Sequence, residues 1–411
     1  MPQPSKMALN IEITRIPALG IPVQDRTFTR KRPNRARAGQ RRGRQMVLNV
    51  PGWRGRIEAE GGESPVEERI ARGRRGPSRP MPSFRKFLEE EIKTDRGPFT
   101  FEGREALRQA VDHLGEILRL GLPGRTVSVL KGTQIGMTTV AVGLALYAVH
   151  VHLLNVGYFL PDQEFANRFG DTRIRPAIWN PRLSDAMRDG RYKGASSKGL
   201  KEFPGGDGSR FLYILGLRDI GNAISLPLDL LIRDEVDDLP PENLAWSNDR
   251  LDASKVALTF NLAMGRTPGG GIQAMYEDGD CSVWLVPCIA CGGEWALEEN
   301  WPDVFSGEGE PYLACPRCGA RRARSAGRWS PRREAALEGH RSWRIPQLAV
   351  GAIHLGRIGA KWRAARRPSE RAKFRCSVLA LPDAGKSQPI DLALLALLRD
   401  AGGYSMEPIP S

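Results

Sequence analysis

The sequence predicts an α/β fold: a mostly parallel sheet with helices on both faces, then a small four-cysteine ribbon and a C-terminal helical segment. Three observations carry the prediction. Strand-like apolar runs alternate with helix-like stretches between residues 126 and 263. A Gly-containing loop joins one such strand to one such helix. Two Cys-x-x-Cys pairs follow the last of these strands. The chain has 411 residues, too long for one ordinary core, so two folded units plus tails are expected.

Residues 1–80 are rich in Arg, Gly and Pro, as in Arg41-Arg42-Gly43-Arg44, and read as a mobile basic arm. From Met81 the pattern changes. Phe84 to Ile92 and Gly103 to Leu120 place apolar residues three and four apart, the helical spacing. Thr126 to Leu130 reads as a buried strand and Thr138 to Leu154 as a helix. Val156 to Leu160 is a strand stopped by Pro161, and Glu164 to Phe169 starts a helix. Residues 189–208 read as a loop or short hairpin. Phe211 to Leu215, Leu228 to Ile232 and Val256 to Ala263 are further strands. The expected units are residues 81–285 for the sheet domain, 286–325 for the ribbon and 326–411 for a basic, helical C-terminal segment with a Leu-rich helix at Ile390 to Leu398.

Charge is uneven. The net charge is +14, yet residues 1–50 hold 11 Lys/Arg against two acids and residues 321–375 hold 16 against three. Two Arg-rich segments therefore flank a mildly acidic centre. Arg suits phosphate contact through its planar fork, so a nucleic acid is the expected partner. No apolar run of roughly 18 residues occurs, so no membrane partner is expected. No secretory leader is expected either, because Glu12 and Arg15 break the first apolar stretch.

The loop Lys131-Gly132-Thr133-Gln134-Ile135-Gly136-Met137-Thr138-Thr139 follows a strand and opens a helix. That is the context of a nucleotide-phosphate loop, in which backbone amides at a helix start bind phosphate oxygens. The usual pattern ends in Gly-Lys-Ser/Thr. Met137 takes the place of the lysine, and Lys131 at the loop's start is positioned to supply the charge. Thr138 stands where a hydroxyl would bind Mg2+. A second apolar run ends in Asp234-Glu235. In ATPases built on such loops an acid there holds Mg2+ and a following Glu orients the attacking water. Asp234 is thus assigned to the metal and Glu235 to catalysis. Thr267-Pro268, just after a strand, is a candidate turn for coupling hydrolysis to movement.

Cys288, Cys291, Cys315 and Cys318 form two knuckles separated by 23 residues, with Gly292 and Gly319 permitting the tight turns. Four thiolates make a closed tetrahedral site for Zn2+, which is structural and not catalytic. Arg321, Arg322, Arg324 and Arg328 follow at once and suggest a clamp on DNA phosphates. Cys281 and Cys376 read as ordinary thiols.

Taken in order, Lys131 to Thr139, Leu230 to Asp237, Arg266 to Pro268 and Cys288 to Gly292 resemble the motifs of the large terminase subunits of tailed phages, in particular the lambda-like branch. Some members of that branch carry the functional lysine at the start of the loop, as Lys131 does. Tyr158 to Asp162 and Phe99 to Glu102 also resemble family segments, the latter one that contacts adenine. The resemblance implies a P-loop ATPase motor that translocates double-stranded DNA into a viral procapsid. ATP, Mg2+ and Zn2+ are the implied cofactors. Implied partners are the portal, the small terminase subunit and further copies in a ring, whose trans arginine would be Arg168, Arg173 or Arg175. The implied location is the host cytoplasm, docked transiently on the procapsid. Acids are sparse after residue 320, so no nuclease activity is expected in this chain; the family's nuclease would be a separate gene product or a part missing from it. Two other readings stay open: a helicase-like DNA-remodelling ATPase, and a zinc-ribbon DNA-binding scaffold with a decayed ATPase core.

Overall fold

Apolar side chains at alternate strand positions divide between the two faces of one ten-stranded sheet. The computed structural model describes residues 81–385 except 95–96, 180–182, 185–195, 206–207 and 307–309. The arm at residues 1–80, the helix expected at Ile390 to Leu398 and the tail lie outside the described residues.

The strands are β1 (Thr126–Lys131), β2 (Val156–Leu160), β3 (Leu200–Gly205), β4 (Gly208–Gly216), β5 (Leu230–Asp234), β6 (Leu258–Ala263), β7 (Ser282–Pro287), β8 (Glu294–Ala296), β9 (Arg328–Ser330) and β10 (His340–Ile345). Their order is β8-β7-β10-β1-β6-β5-β2-β4-β3, with β9 also paired to β7. The seven strands from β7 to β4 run parallel. Antiparallel strands β8, β9 and β3 close the two edges.

The helices are α1 (Phe84–Glu91), α2 (Glu105–Leu120), α3 (Met137–His150), α4 (Gln163–Phe169), α5 (Pro241–Asn248), α6 (Gly271–Asp278), α7 (Leu355–Ala364) and α8 (Pro368–Phe374). Every side chain of α3 from Val140 to Val149 is buried. Such a helix has no polar face, so it must be covered on both sides. The sheet covers one side and α1 and α2 the other. Gly143 allows the close approach: a Cβ there would lie 2.1 Å from Leu88 Cδ2. Val127, Val129, Tyr158, Leu230 and Ile232 point into this first core. Leu130, Phe159, Leu231 and Ala263 point the other way, towards α6 and Leu244 of α5.

The elements expected from residue 81 to 263 are present. Within the stretch 189–208, expected as a loop or short hairpin, Leu200–Gly205 forms β3 and pairs antiparallel with β4; residues 189–195 and 206–207 lie outside the described residues. The expected end of the sheet domain at 285 does not hold. β9 and β10 lie beyond the ribbon in sequence, yet both belong to the sheet, and β10 fills the place between β1 and β7. The ribbon is an excursion from the sheet and not a unit that follows it. Polar residues hide β10 from a hydropathy reading, and each has a buried partner. His340 Nε2 lies 2.8 Å from Ser128 Oγ, Ser342 Oγ donates to the Tyr276 carbonyl at 2.7 Å, and Arg344 Nε donates to Glu298 Oε1 at 2.9 Å. A third core, containing Trp284, Leu313, Ile358 and Phe374, packs the ribbon against α7 and α8. Among the described residues no helix is long and apolar enough to cross a membrane.

Candidate nucleotide site and four-cysteine centre

The loops after β1, β5 and β6 leave the C-terminal edge of the parallel strands, the place where open α/β sheets bind ligands. The loop after β1 is pinned at its base. The Gly132 amide donates to the Ile345 carbonyl at 2.8 Å and the Thr133 amide to the Ser377 carbonyl at 2.7 Å. The Gln347 side-chain amide donates to the Thr133 carbonyl at 2.7 Å and to its hydroxyl at 3.0 Å. Beyond the base the backbone turns through positive φ at Gln134 (60°) and Gly136 (99°). Among the described residues, the amides of Gln134 to Thr138 find no acceptor, and α3 has no side-chain cap. Consecutive free amides at a helix start form a nest for an anion.

Met137, in the position of the missing lysine, is 1% exposed and belongs to the first core with Ile135. Lys131 is buried as well, and its Nζ lies 3.0 Å from Glu235 Oε1 and 3.5 Å from Asp234 Oδ1. Burial pulls the Lys131 pKa down, but the two carboxylates outweigh it, and the net shift is upward. The ammonium is therefore held charged.

Period-two geometry puts Lys131, Tyr158 and Asp234 on the α3 side of the sheet. The Tyr158 hydroxyl donates to Asp234 Oδ2 at 3.0 Å. Burial, then the neighbouring carboxylate, raises the Tyr158 phenol well above its ordinary pKa, so it remains a donor. Asp234 Oδ1 accepts the Glu235 amide at 3.0 Å. Glu235 itself has φ +57°, a left-handed conformation that non-glycine residues adopt at a cost of about 1–3 kcal/mol. Its side chain is 35% exposed, against 2% for Asp234.

Lys131, Asp234 and Glu235 line a cleft of about 540 Å³. Its walls include every residue from Lys131 to Thr139, together with Asp234 and Glu235, so the sequence-predicted set comes together. Phe99 and Thr100 close one side, and Arg173 enters from the π-helical turn Gly170–Ile174. Arg168 instead stacks over the Phe165 ring at 5.2 Å and Arg175 over the Trp179 ring at 5.9 Å. Tyr158, Gln347 and Ser377 were missed by the sequence reading. Tyr158 carried a faint signal, a phenol near the end of an otherwise apolar strand. Gln347 and Ser377 lie far along the chain and act partly through backbone groups, which leave no sequence mark.

Thr267 and Pro268 are not part of the cleft wall. Asp237 ties their turn to the acidic segment: Oδ2 accepts the Arg266 amide and Oδ1 the Ile272 amide, both at 2.8 Å. Hydrogen bonds to a charged group contribute about 1.5–3 kcal/mol each. Asp237→Ala is therefore expected to destabilise the protein by roughly 2–4 kcal/mol, allowing for the exposure of one bond, read as a lower urea midpoint. An unchanged midpoint would show that the turn holds without this carboxylate.

The four cysteines converge. All four Sγ atoms lie within 4.8 Å of one another, with Cys288–Cys318 and Cys291–Cys315 both at 3.6 Å. A Zn–S bond of ~2.3 Å in a tetrahedron implies S–S edges of ~3.8 Å, so the set fits such an ion. Gly292 and Gly319, at φ 70° and 71°, turn each knuckle, and their amides donate to the Cys288 and Cys315 carbonyls at 2.8 and 2.9 Å. Burial would raise the Cys315 thiol, but backbone amide hydrogen bonds from Arg317 and Cys318 bring it down to about 6.

Of the four arginines after the ribbon, Arg324 and Arg328 are spent within the protein, whereas the Arg321 side chain is 62% exposed and reaches Glu310 only at 3.9 Å. Arg324 donates to the carbonyls of Val350, Ile353 and Gly351, Arg328 Nε donates to Glu294 at 3.1 Å, and Arg322 is buried.

A family model described as phage terminase large subunit gpA, ATPase domain, matches residues 123–330. No curated protein sequence matches the chain. Among solved structures, the large terminase ATPase domain of Thermus phage P74-26 is similar at 12% identity and a TM-score of 0.42, covering 62% of this chain and 88% of that one. A point variant of that domain gives a TM-score of 0.41 at 12% identity, covering 63% and 89%. The HK97 bacteriophage large terminase gives 0.38 at 13% identity, covering 48% of this chain and 40% of that one.

Proposed function

Since the chain belongs to the phage terminase large subunit gpA ATPase-domain family, and so is an ATPase of a viral genome-packaging motor, we propose that the cleft at Lys131, Asp234 and Glu235 is its hydrolysis site. The observation that supports this most directly is the convergence of the buried ammonium, the two acids and the free-amide loop in one cleft.

In this reading the amides of Gln134 to Thr138 hold the β- and γ-phosphates and Lys131 neutralises their charge. The Thr138 hydroxyl and Asp234 would hold Mg2+, which would supply charge stabilisation at the phosphates. Tyr158 fixes the Asp234 carboxylate and so its orientation. Glu235 accepts the proton of the attacking water. With no nucleotide, Lys131 is parked on Glu235; an arriving triphosphate draws it away and leaves the base free. Arg173 faces the phosphates of its own chain. Asp237 carries the displacement of the acidic segment to Thr267-Pro268. The four cysteines would hold Zn2+, which would tie the two knuckles of the ribbon together. DNA stimulates hydrolysis, and the motor works as a ring with the portal, procapsid and small subunit in the host cytoplasm.

Glu235→Gln keeps the shape of the side chain and removes the base. It is expected to cut DNA-stimulated ATP turnover by about 10²–10⁴-fold while labelled ATP still binds. Wild-type turnover, or no stimulation of the parent protein by double-stranded DNA, would contradict the assignment.

A further inference from the structure

Helices α7 and α8 carry an unusual surface. α7 buries Ile358 and Gly359 and half-buries Leu355 and Trp362, which fixes its inner face. α8 buries Ala372 and Phe374. Arg371, half-buried, lies flat on the Trp362 ring at 3.4 Å and joins the two helices. The outer faces and the turn between the helices are left with Arg357, Lys361, Arg363, Arg366, Arg367 and Lys373, all exposed. At 1.5 Å rise per residue, Arg357 and Lys361 stand about 6 Å apart along one line of the helix.

The acids nearby are occupied. Glu370 Oε2 accepts the backbone amides of Arg366 and Arg367 at 2.8 and 3.0 Å. Asp383 is paired with Arg375 at 2.9 Å. Among the described residues, none of the six exposed cations has a carboxylate within ion-pair distance. Arg324 and Arg328 near the ribbon differ, since they are consumed by carbonyls and a carboxylate.

From this we infer that the paired helices α7 and α8 form the surface on which the protein grips the phosphate backbone of double-stranded DNA. The inference rests on the reading of the chain as a DNA-packaging ATPase. The chemistry fits a polyanion. The exposed faces hold cations with Ala, Gly and Ser between them, and phosphate contacts of Arg and Lys supply the bulk of sequence-independent DNA affinity. The placement fits as well. α8 runs into the π-helical turn Arg375–Leu379, and the Ser377 carbonyl in that turn accepts the Thr133 amide and, at 3.2 Å, the Thr133 hydroxyl. The gripping helices thus rest on the base of the phosphate loop.

Lysine acetylation of the full chain, with and without a mixed-sequence DNA duplex and without nucleotide, tests this directly. DNA is expected to lower the labelling of Lys361 and Lys373 several-fold and to leave exposed Lys86 and Lys255 unchanged. The variant carrying Arg357→Gln, Lys361→Gln and Lys373→Gln is expected to show a log–log salt slope of DNA binding shallower by about 2.7, since each phosphate no longer neutralised removes about 0.9 from the slope. Equal labelling with and without DNA overturns the inference, as does protection at Lys86 or Lys255 alone. Protection by polyglutamate but not by DNA overturns it in favour of an acidic protein partner. Because nucleotide is absent, failure here is separate from any failure of ATP hydrolysis.

Discussion

Lys131→Ala is expected to reduce ATP turnover by at least about 10²–10³-fold, the usual cost of removing one preorganised group that meets developing charge. The effect should exceed a simple loss of binding. Without the ammonium, Asp234 and Glu235 face the phosphates without the cation that bridges them. A second substitution sharpens the test. Met137→Lys restores the familiar loop sequence, yet that side chain is 1% exposed in an apolar core. An ammonium forced there costs several kcal/mol, so the double variant should remain inactive and melt lower than Lys131→Ala. Steady-state turnover, labelled-ATP binding and thermal unfolding separate these outcomes. A wild-type rate for Lys131→Ala would remove this residue from the site, and recovery in the double variant would return the role to position 137.

Cys315→Ser is expected to have the largest structural effect. Structural Zn2+ sites carry apparent binding free energies of about 10–16 kcal/mol in small domains, and loss of one thiolate forfeits much of that. Metal analysis should show one zinc per parent chain and far less in the variant. The consequence should reach beyond the knuckles. Trp284 donates its indole N–H to the Arg324 carbonyl at 2.9 Å, and its ring meets Trp329 at 5.4 Å. Trp301 contacts Phe305, Trp362 and Phe374 within 5.7 Å. Releasing the ribbon should therefore wet this aromatic cluster, read as a red shift of tryptophan emission and a lower melting temperature. Unchanged emission with the metal gone would show that the ribbon holds itself together by packing alone.

The parts of the fold that could be read from sequence were those with one dominant physical signal. β1, β2 and β5 are short apolar runs, and α3 is too apolar to face water. Lys131, Asp234 and Glu235 stood out because charged residues at the ends of buried strands need a reason to be there. β10 was illegible because its signal is partnership. His340, Ser342 and Arg344 look like surface residues until Ser128, the Tyr276 carbonyl and Glu298 are beside them. Position 137 was misleading for a similar reason. The sequence displays a lost charge, whereas the fold turns that side chain inward and leaves no role there for a charge. Arg324 and Arg328 after the ribbon show the reverse error, since a run of cations says nothing about which are already bound.

The position of β10 also bears on how the protein can be divided. The family match ends at residue 330, before His340. A fragment cut there keeps the phosphate loop, both acids and the ribbon. It loses the plank between β1, which pairs with β10 over six residues, and β7, which pairs with it over two. Two unsatisfied ladders would then face each other across a gap in the middle of the sheet, an invitation to pair with another chain. The smallest autonomous motor unit is therefore set by the strand that returns after the ribbon, and any dissection of this protein must begin by keeping it.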